Sequence, residues 1–237
     1  MKVVLLRVGV DTASGGILGP VFSDDTFEFI PIPDGWHLDA RTYGNTLGRH
    51  GRVFADYFAV GQRARISQES MHVDPEFETF TYGDPTRPKA RLRELSGGDL
   101  LVFYAGLQGY DCARKPALYI VGYFEVAIAG LATQLGDVTV TALFSANFHV
   151  RHPKVFPDQR DRLVLVKGTP ASRLLEHAVQ ISEDGKDRSG RRIHVLSREM
   201  RAVFGDFDGH VCIQRSPPRW VAPAYVDRAA TCVRSFS

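Results

Sequence analysis

Two apolar runs constrain the fold more than anything else in this chain: "GDLLVFYAGL" from Gly98 and "ALYIVGYFEVA" from Ala117, joined by the polar link "QGYDCARKP". Both are dense in β-branched and aromatic residues and are bounded by glycine or proline, the mark of strands rather than helices. Neither alternates apolar with polar positions. A strand of that kind is covered on both faces, so the pair must lie inside a layered sheet. "KVVLLRVGV" near the N-terminus repeats the pattern and predicts a third buried strand.

The remaining segments predict a mixed architecture. "TFEFIPIP", "DVTVTALF" and "DRLVLVKG" read as further strands by alternation or β-branched content. A short helix is expected to open after Pro88. "PASRLLEHAVQIS" spaces Leu174, Leu175, Ala178, Val179 and Ile181 as one helical face, with Pro170 at the entrance and Ser172 in the first turn. The proline-rich tail "RSPPRWVAPAYV" is expected to run extended over the surface. Strands outnumber helices and do not alternate with them regularly. The expected class is therefore α+β, a mostly antiparallel or mixed sheet with peripheral helices, in one domain over residues 1–237.

At 237 residues, 44% apolar and 24% charged, the chain can bury a core without staples. Its cysteines, Cys112, Cys212 and Cys232, are odd in number and widely spaced, which suits neither a zinc ribbon nor a disulfide framework and predicts a reducing, cytoplasmic setting. No run approaches the ~18 apolar residues of a membrane span, so no membrane partner is expected. The net charge of +2 is divided unevenly. The first 110 residues carry 11 Lys+Arg against 14 Asp+Glu, and the remainder 18 against 13, so the C-terminal half is the better placed to meet phosphate.

Several segments carry candidate chemistry, each with a plainer alternative. In "HVDPEFETF", an extended backbone would set His72, Asp74 and Glu76 on one face, where they can hold a cation or pair a base with a carboxylate; a turn at Pro75 would make Asp74 a cap instead. "VGVDTASGG" places Asp11, Gly15 and Gly16 after a buried strand, either as a ligand loop or as a self-capped turn. "TYGDPTRPKARLR" joins Tyr82 and Asp84 to a basic cluster that includes Lys89, a phosphate track or a solvated helix. Around the central strands, Asp99 would pin a turn, while Tyr104 and Tyr110 would offer ring faces to a base or be core. Ser172 and Arg173 at the predicted helix entrance suit an anion. Arg215, Arg219 and Trp220 combine two bidentate donors with a stacking surface.

The order of Gly98–Tyr104 and Ile120–Val126 is similar to small PUA-like barrels, whose loop after an aromatic strand end lines a nucleobase pocket. Over nearly the whole chain, "LLRVGVDTASGGILGPV", "FEFIPIPD", "HVDPEFETFTYGD", "GDLLVFYAGL" and "RSPPRW" resemble the nucleotide-modification-associated domain family of the third type. That resemblance implies a setting of DNA base modification and brings with it neither a defined reaction, a cofactor nor an assigned site. Three functions are therefore expected. The first is a nucleic-acid or nucleotide-binding protein associated with DNA base modification or with recognition of modified DNA. The second is an enzyme on a nucleotide or modified base, with His72, Asp74 and Asp11 as catalytic groups. The third is a structural subunit that partners other modification-system proteins.

Overall fold

The computed structural model describes residues 1–37, 39–214 and 217–236. The elements run β1 (Val3–Arg7), β2 (Gly19–Val21), β3 (Ile32–Pro33), α1 (Val60–Ile66), β4 (Met71–His72), β5 (Thr81–Asp84), β6 (Leu100–Gly109) and β7 (Ala117–Leu131). There follow α2 (Ala132–Leu135), α3 (Asp137–Phe144), α4 (Phe148–Arg151), α5 (Phe156–Gln159), β8 (Val164–Gly168), β9 (Arg173–Gln180), β10 (Ser182–Lys186), β11 (Arg192–Leu196), α6 (Arg198–Phe204), β12 (Arg219–Trp220) and α7 (Val226–Arg234). Arg215 lies outside the described residues.

The two apolar runs are the sheet's centre. β6 and β7 pair antiparallel from Leu100↔Glu125 to Leu107↔Ala117. The outer edge of β6 takes β1 in parallel along its first half and β2 in parallel along its second. The far edge of β7 takes β9 and then β8, both antiparallel. β12 closes on β1 and β5 on β8, giving the path β12-β1-β6-β7-β8-β5. Among the described residues these two end strands do not pair, so the sheet is open and no closed barrel forms. The fold is α+β with a mixed sheet. No described helix is long and apolar enough to cross a membrane.

Two segments change class relative to the sequence expectation. "DVTVTALF" is helix α3, not a strand. Val140 and Phe144, one helical turn apart, are both buried, while Val138 is 86% exposed. Packing that one face contributes about 1.5–3 kcal/mol per side chain and overrides the β-propensity of Val and Thr. "RLLEHAVQ" is conversely strand β9, whose register on β7 jumps between Gly122↔Leu174 and Ile120↔Val179. The extra residues in that bulge let Leu175, Ala178 and Ile181 all face the core at a spacing of three, which imitates a helix.

Smaller differences follow the same logic. Of "TFEFIPIP" only Ile32–Pro33 is a strand, paired with Met71–His72. Arg87–Glu94 is a 3-10 helix, near where a short helix was expected. Among the described residues of the tail, strand pairing is confined to β12, which pairs with β1, before α7 packs Val226, Ala229, Ala230 and Val233 inward.

Candidate functional site

The site is assembled from three short pieces of chain: β4 in its two-stranded sheet with β3, β5 at the edge of the large sheet, and the short helix α4. β4 is anchored by its pairing with β3 and delivers His72; the chain then turns and delivers Asp74. β5, held in the sheet by β8, brings the Gly83 amide to Asp74 Oδ2 at 2.9 Å. Asn147 caps α4 by accepting the His149 N–H at 3.1 Å, which fixes His149 in the first turn of that helix. Gly83 is needed for this approach. A Cβ there would stand 2.8 Å from Asn147 Oδ1 and 3.1 Å from His149 Cδ2.

His72 Nε2 lies 3.1 Å from His149 Nε2, and His149 Nε2 lies 3.5 Å from Asp74 Oδ2. These ligand-type atoms all fall within 4.8 Å of one another. The opposite nitrogen of His149, Nδ1, is 2.7 Å from Gln159 Oε1 on α5. An amide oxygen only accepts, so Nδ1 carries the proton and the neutral ring turns a lone pair towards His72. The His72 ring stacks on Phe148 with centroids 3.9 Å apart.

Burial dominates the electrostatics. It pushes His72 down to about 3, aided by the neighbouring His149 and Lys89. It also pushes His149 down, against the Gln159 hydrogen bond. Asp74 is driven well above the usual carboxylate range, again by burial, against the Gly83 amide. The two imidazoles are therefore neutral at pH 7, beside a carboxyl that resists charging. Asp74 Oδ1 is buried without a well-formed hydrogen bond, and the neighbouring Asn147 side chain only partly opposes the effect of burial on the carboxyl. Unsatisfied polar atoms of this kind are uncommon in a core and call for a physical explanation.

The three side chains face a cleft of about 330 Å³, in the range of small-ligand pockets. Lys89 reaches it and pairs with Asp84 at 2.7 Å. Asp84 also accepts from Tyr82 Oη at 3.0 Å and from the Thr86 amide at 2.7 Å, so it is saturated as a structural anchor. Arg7 enters from the end of β1. At the rim, Trp36 is 54% exposed and lies over Phe148 with centroids 6.3 Å apart.

Of the residues singled out from the sequence, His72, Asp74, Tyr82, Asp84 and Lys89 meet in this cleft. The others lie elsewhere. Asp11 is outside the cleft lining; its Oδ1 accepts from the Ala13 and Ser14 amides in a turn completed by Gly15 and Gly16 at positive φ, and Oδ2 pairs with Arg7 at 3.3 Å. Glu76 turns away to Arg41 at 3.4 Å. Asp99 pins the turn before β6 by accepting from Lys2 and Ser96. Tyr104 is fully buried and not at a pocket mouth, its hydroxyl donating to Ile213 O at 2.8 Å.

Ser172 precedes a strand, not a helix, and its buried Oγ accepts from the Glu125 amide. Arg173 sits over the Tyr123 ring. Arg219 donates to Cys212 O, and Trp220 carries Arg91 4.5 Å above its ring. Tyr110 is exposed, edge-on to Phe22 and Tyr57, with Arg52 over its face.

The residues that sequence reasoning missed are His149, Gln159, Trp36 and Arg7. A signal existed for the first: "NFHVRH" sets two histidines three apart behind an asparagine suited to capping. It stood beside a segment read as a strand, which hid the helix start.

A family model described as nucleotide modification associated domain 3 matches residues 2–229. No curated protein and no solved structure matches the chain.

Proposed function

The chain belongs to the nucleotide modification associated domain 3 family, and on that premise we propose that it is an enzyme of a DNA-modification system, acting on a nucleotide or on a base turned out of DNA. The observation that carries this reading is the convergence of His72, His149 and Asp74, with His149 buried and the other two residues partly so, in the lining of one cleft. A module that only binds has no need to desolvate two imidazoles and a carboxyl side by side. Groups so perturbed in a cleft are characteristic of chemistry. The rim supplies recognition: Trp36 offers a ring face for a base, and Lys89 and Arg7 offer positive charge for phosphate.

Calorimetric titration with nucleoside monophosphates, triphosphates and short single-stranded DNA tests this. Binding is expected to weaken in both Trp36→Ala and Lys89→Gln. Substrate turnover is expected to vanish in His72→Ala with binding retained. Unchanged affinity in both rim variants would remove the cleft as the nucleotide site.

A polymeric substrate is favoured by one further observation. Tyr110, Phe22 and Tyr57 form an aromatic group capped by Arg52, the kind of stacking platform that follows a strand. Tyr110→Ala is expected to weaken oligonucleotide binding and spare mononucleotides; equal affinity for oligonucleotides would reject the platform.

A further inference from the structure

We propose that His72, His149 and Asp74 together hold one divalent transition-metal ion, with zinc, ferrous iron, cobalt and manganese as the class, at the floor of the cleft. The inference rests on the reading of the cleft as a nucleotide site only for what the ion faces, not for ion binding itself.

Distances come first. Two donors that share an ion at about 2.1 Å stand about 3.0–3.4 Å apart in octahedral or tetrahedral arrangement. The observed separations are 3.1 Å between the two Nε2 atoms and 3.5 Å from His149 Nε2 to Asp74 Oδ2, and all three donor atoms lie within 4.8 Å of one another, so an ion would draw His72 and Asp74 closer together.

Lone pairs come second. Gln159 Oε1 accepts a hydrogen bond from His149 Nδ1–H, so Nε2 presents a lone pair towards His72 Nε2. Asp74 adds Oδ2, the oxygen 3.5 Å from His149 Nε2, and beside it Oδ1, which is buried without a well-formed hydrogen bond. A cation satisfies all three groups at once and offsets the cost of burying the carboxylate's charge.

The supports come third. Gln159 orients His149, the Gly83 amide orients Asp74, and the Asn147 cap fixes the helix start that carries His149. Such outer partners are what set ligands for a metal.

The donor set decides the class. Two imidazoles and one carboxylate suit a borderline transition ion, whereas magnesium and calcium prefer oxygen throughout. Three protein donors leave further coordination positions open, and these face the same cleft as Trp36 and Lys89. An ion there acts as a Lewis acid towards a substrate oxygen or lowers the pKa of its own water.

The test is a cobalt titration of chelator-treated full-length protein, read by visible absorption and by calorimetry. One ion per chain is expected, displaced by zinc and unaffected by millimolar magnesium. His72→Ala, His149→Ala and Asp74→Asn are expected to weaken binding about a hundredfold or more. His210→Ala, at an exposed position, is expected to bind as wild type. Circular dichroism checks that each variant folds; should His149→Ala unfold, the partly buried His72→Ala and the near-isosteric Asp74→Asn decide.

No stoichiometric binding, or wild-type affinity in both of those, overturns the site. Magnesium competing equally overturns the class. Nucleotide titration of the same metal-free protein separates the two readings. Nucleotide binding without cobalt binding sinks the ion and leaves the cleft; cobalt binding with no nucleotide affinity in either form sinks the cleft and leaves the ion.

Discussion

Gln159 Oε1 accepts the Nδ1 proton of His149 at 2.7 Å, and both residues are almost fully buried. This one contact fixes which nitrogen of His149 faces His72. Gln159→Leu fills the same space and removes the acceptor, leaving a buried N–H unpaired at a cost of about 1–3 kcal/mol. For a chain of this length that lowers Tm by about 2–4 °C per kcal/mol. Cobalt affinity is expected to fall about 10–100-fold. Gln159→Glu keeps an acceptor and is expected to restore most of the affinity. Equal affinity in Gln159→Leu and wild type would show that the tautomer is set some other way.

Gly83 is the narrowest point of the site's scaffold. An alanine methyl would press within 2.8 Å of Asn147 Oδ1 and 3.1 Å of His149 Cδ2, and Asn147 is fully buried and has nowhere to go. Gly83→Ala is expected to cost about 1–3 kcal/mol by overpacking. The displaced helix cap is expected to take His149 out of line, so cobalt binding and turnover fall together. Thermal denaturation and the cobalt spectrum check this. A normal spectrum at wild-type Tm would mean that α4 can yield.

The central sheet was legible in the sequence because its strands are buried on both faces: an unbroken apolar run such as Leu100–Leu107 permits few other readings. Where a segment is half-buried, period decides, and period misled twice. Val138 and Val140 alternate like a strand, but only Val140 is buried. Leu175, Ala178 and Ile181 mimic a helix because a bulge absorbs residues between paired positions. The site was half legible. His72 and Asp74 are close in sequence and stood out together. His149 joins them across 77 residues through a four-residue helix, and no local pattern announces such a meeting. Glu76 was grouped with them by a strand period that the chain does not keep, since it turns after His72.

Tyr104 supplies a contrast that separates core from site. Its ring is fully buried in the main core and its hydroxyl donates to Ile213 O. Tyr104→Phe removes one buried hydrogen bond and nothing else, at an expected cost of about 0.5–1.5 kcal/mol. Nucleotide and cobalt titrations are expected to match wild type. A loss of nucleotide affinity at unchanged stability would return Tyr104 to the list of binding residues and reopen the loop beyond β6.

Trp36 is the rim residue whose removal isolates recognition from folding. Its backbone amide donates to Asp34 Oδ1 at 2.9 Å, so the turn that carries it survives loss of the indole. More than half of the residue is exposed, and the ring lies over Phe148, which in turn backs His72. Stability in Trp36→Ala is therefore expected to stay within about 0.5 kcal/mol of wild type. Base stacking on an aromatic side chain contributes about 1–3 kcal/mol, so nucleotide affinity is expected to fall about 5–150-fold. Trp36→Phe keeps a ring face and is expected to recover much of that loss. Cobalt binding is expected to be untouched in both variants, because the indole contributes no ligand. Calorimetry on the three proteins, with and without cobalt, reads each of these at once. Equal nucleotide affinity in Trp36→Ala and wild type would show that the base enters elsewhere, while the histidine–aspartate floor would stand on its own ion titration.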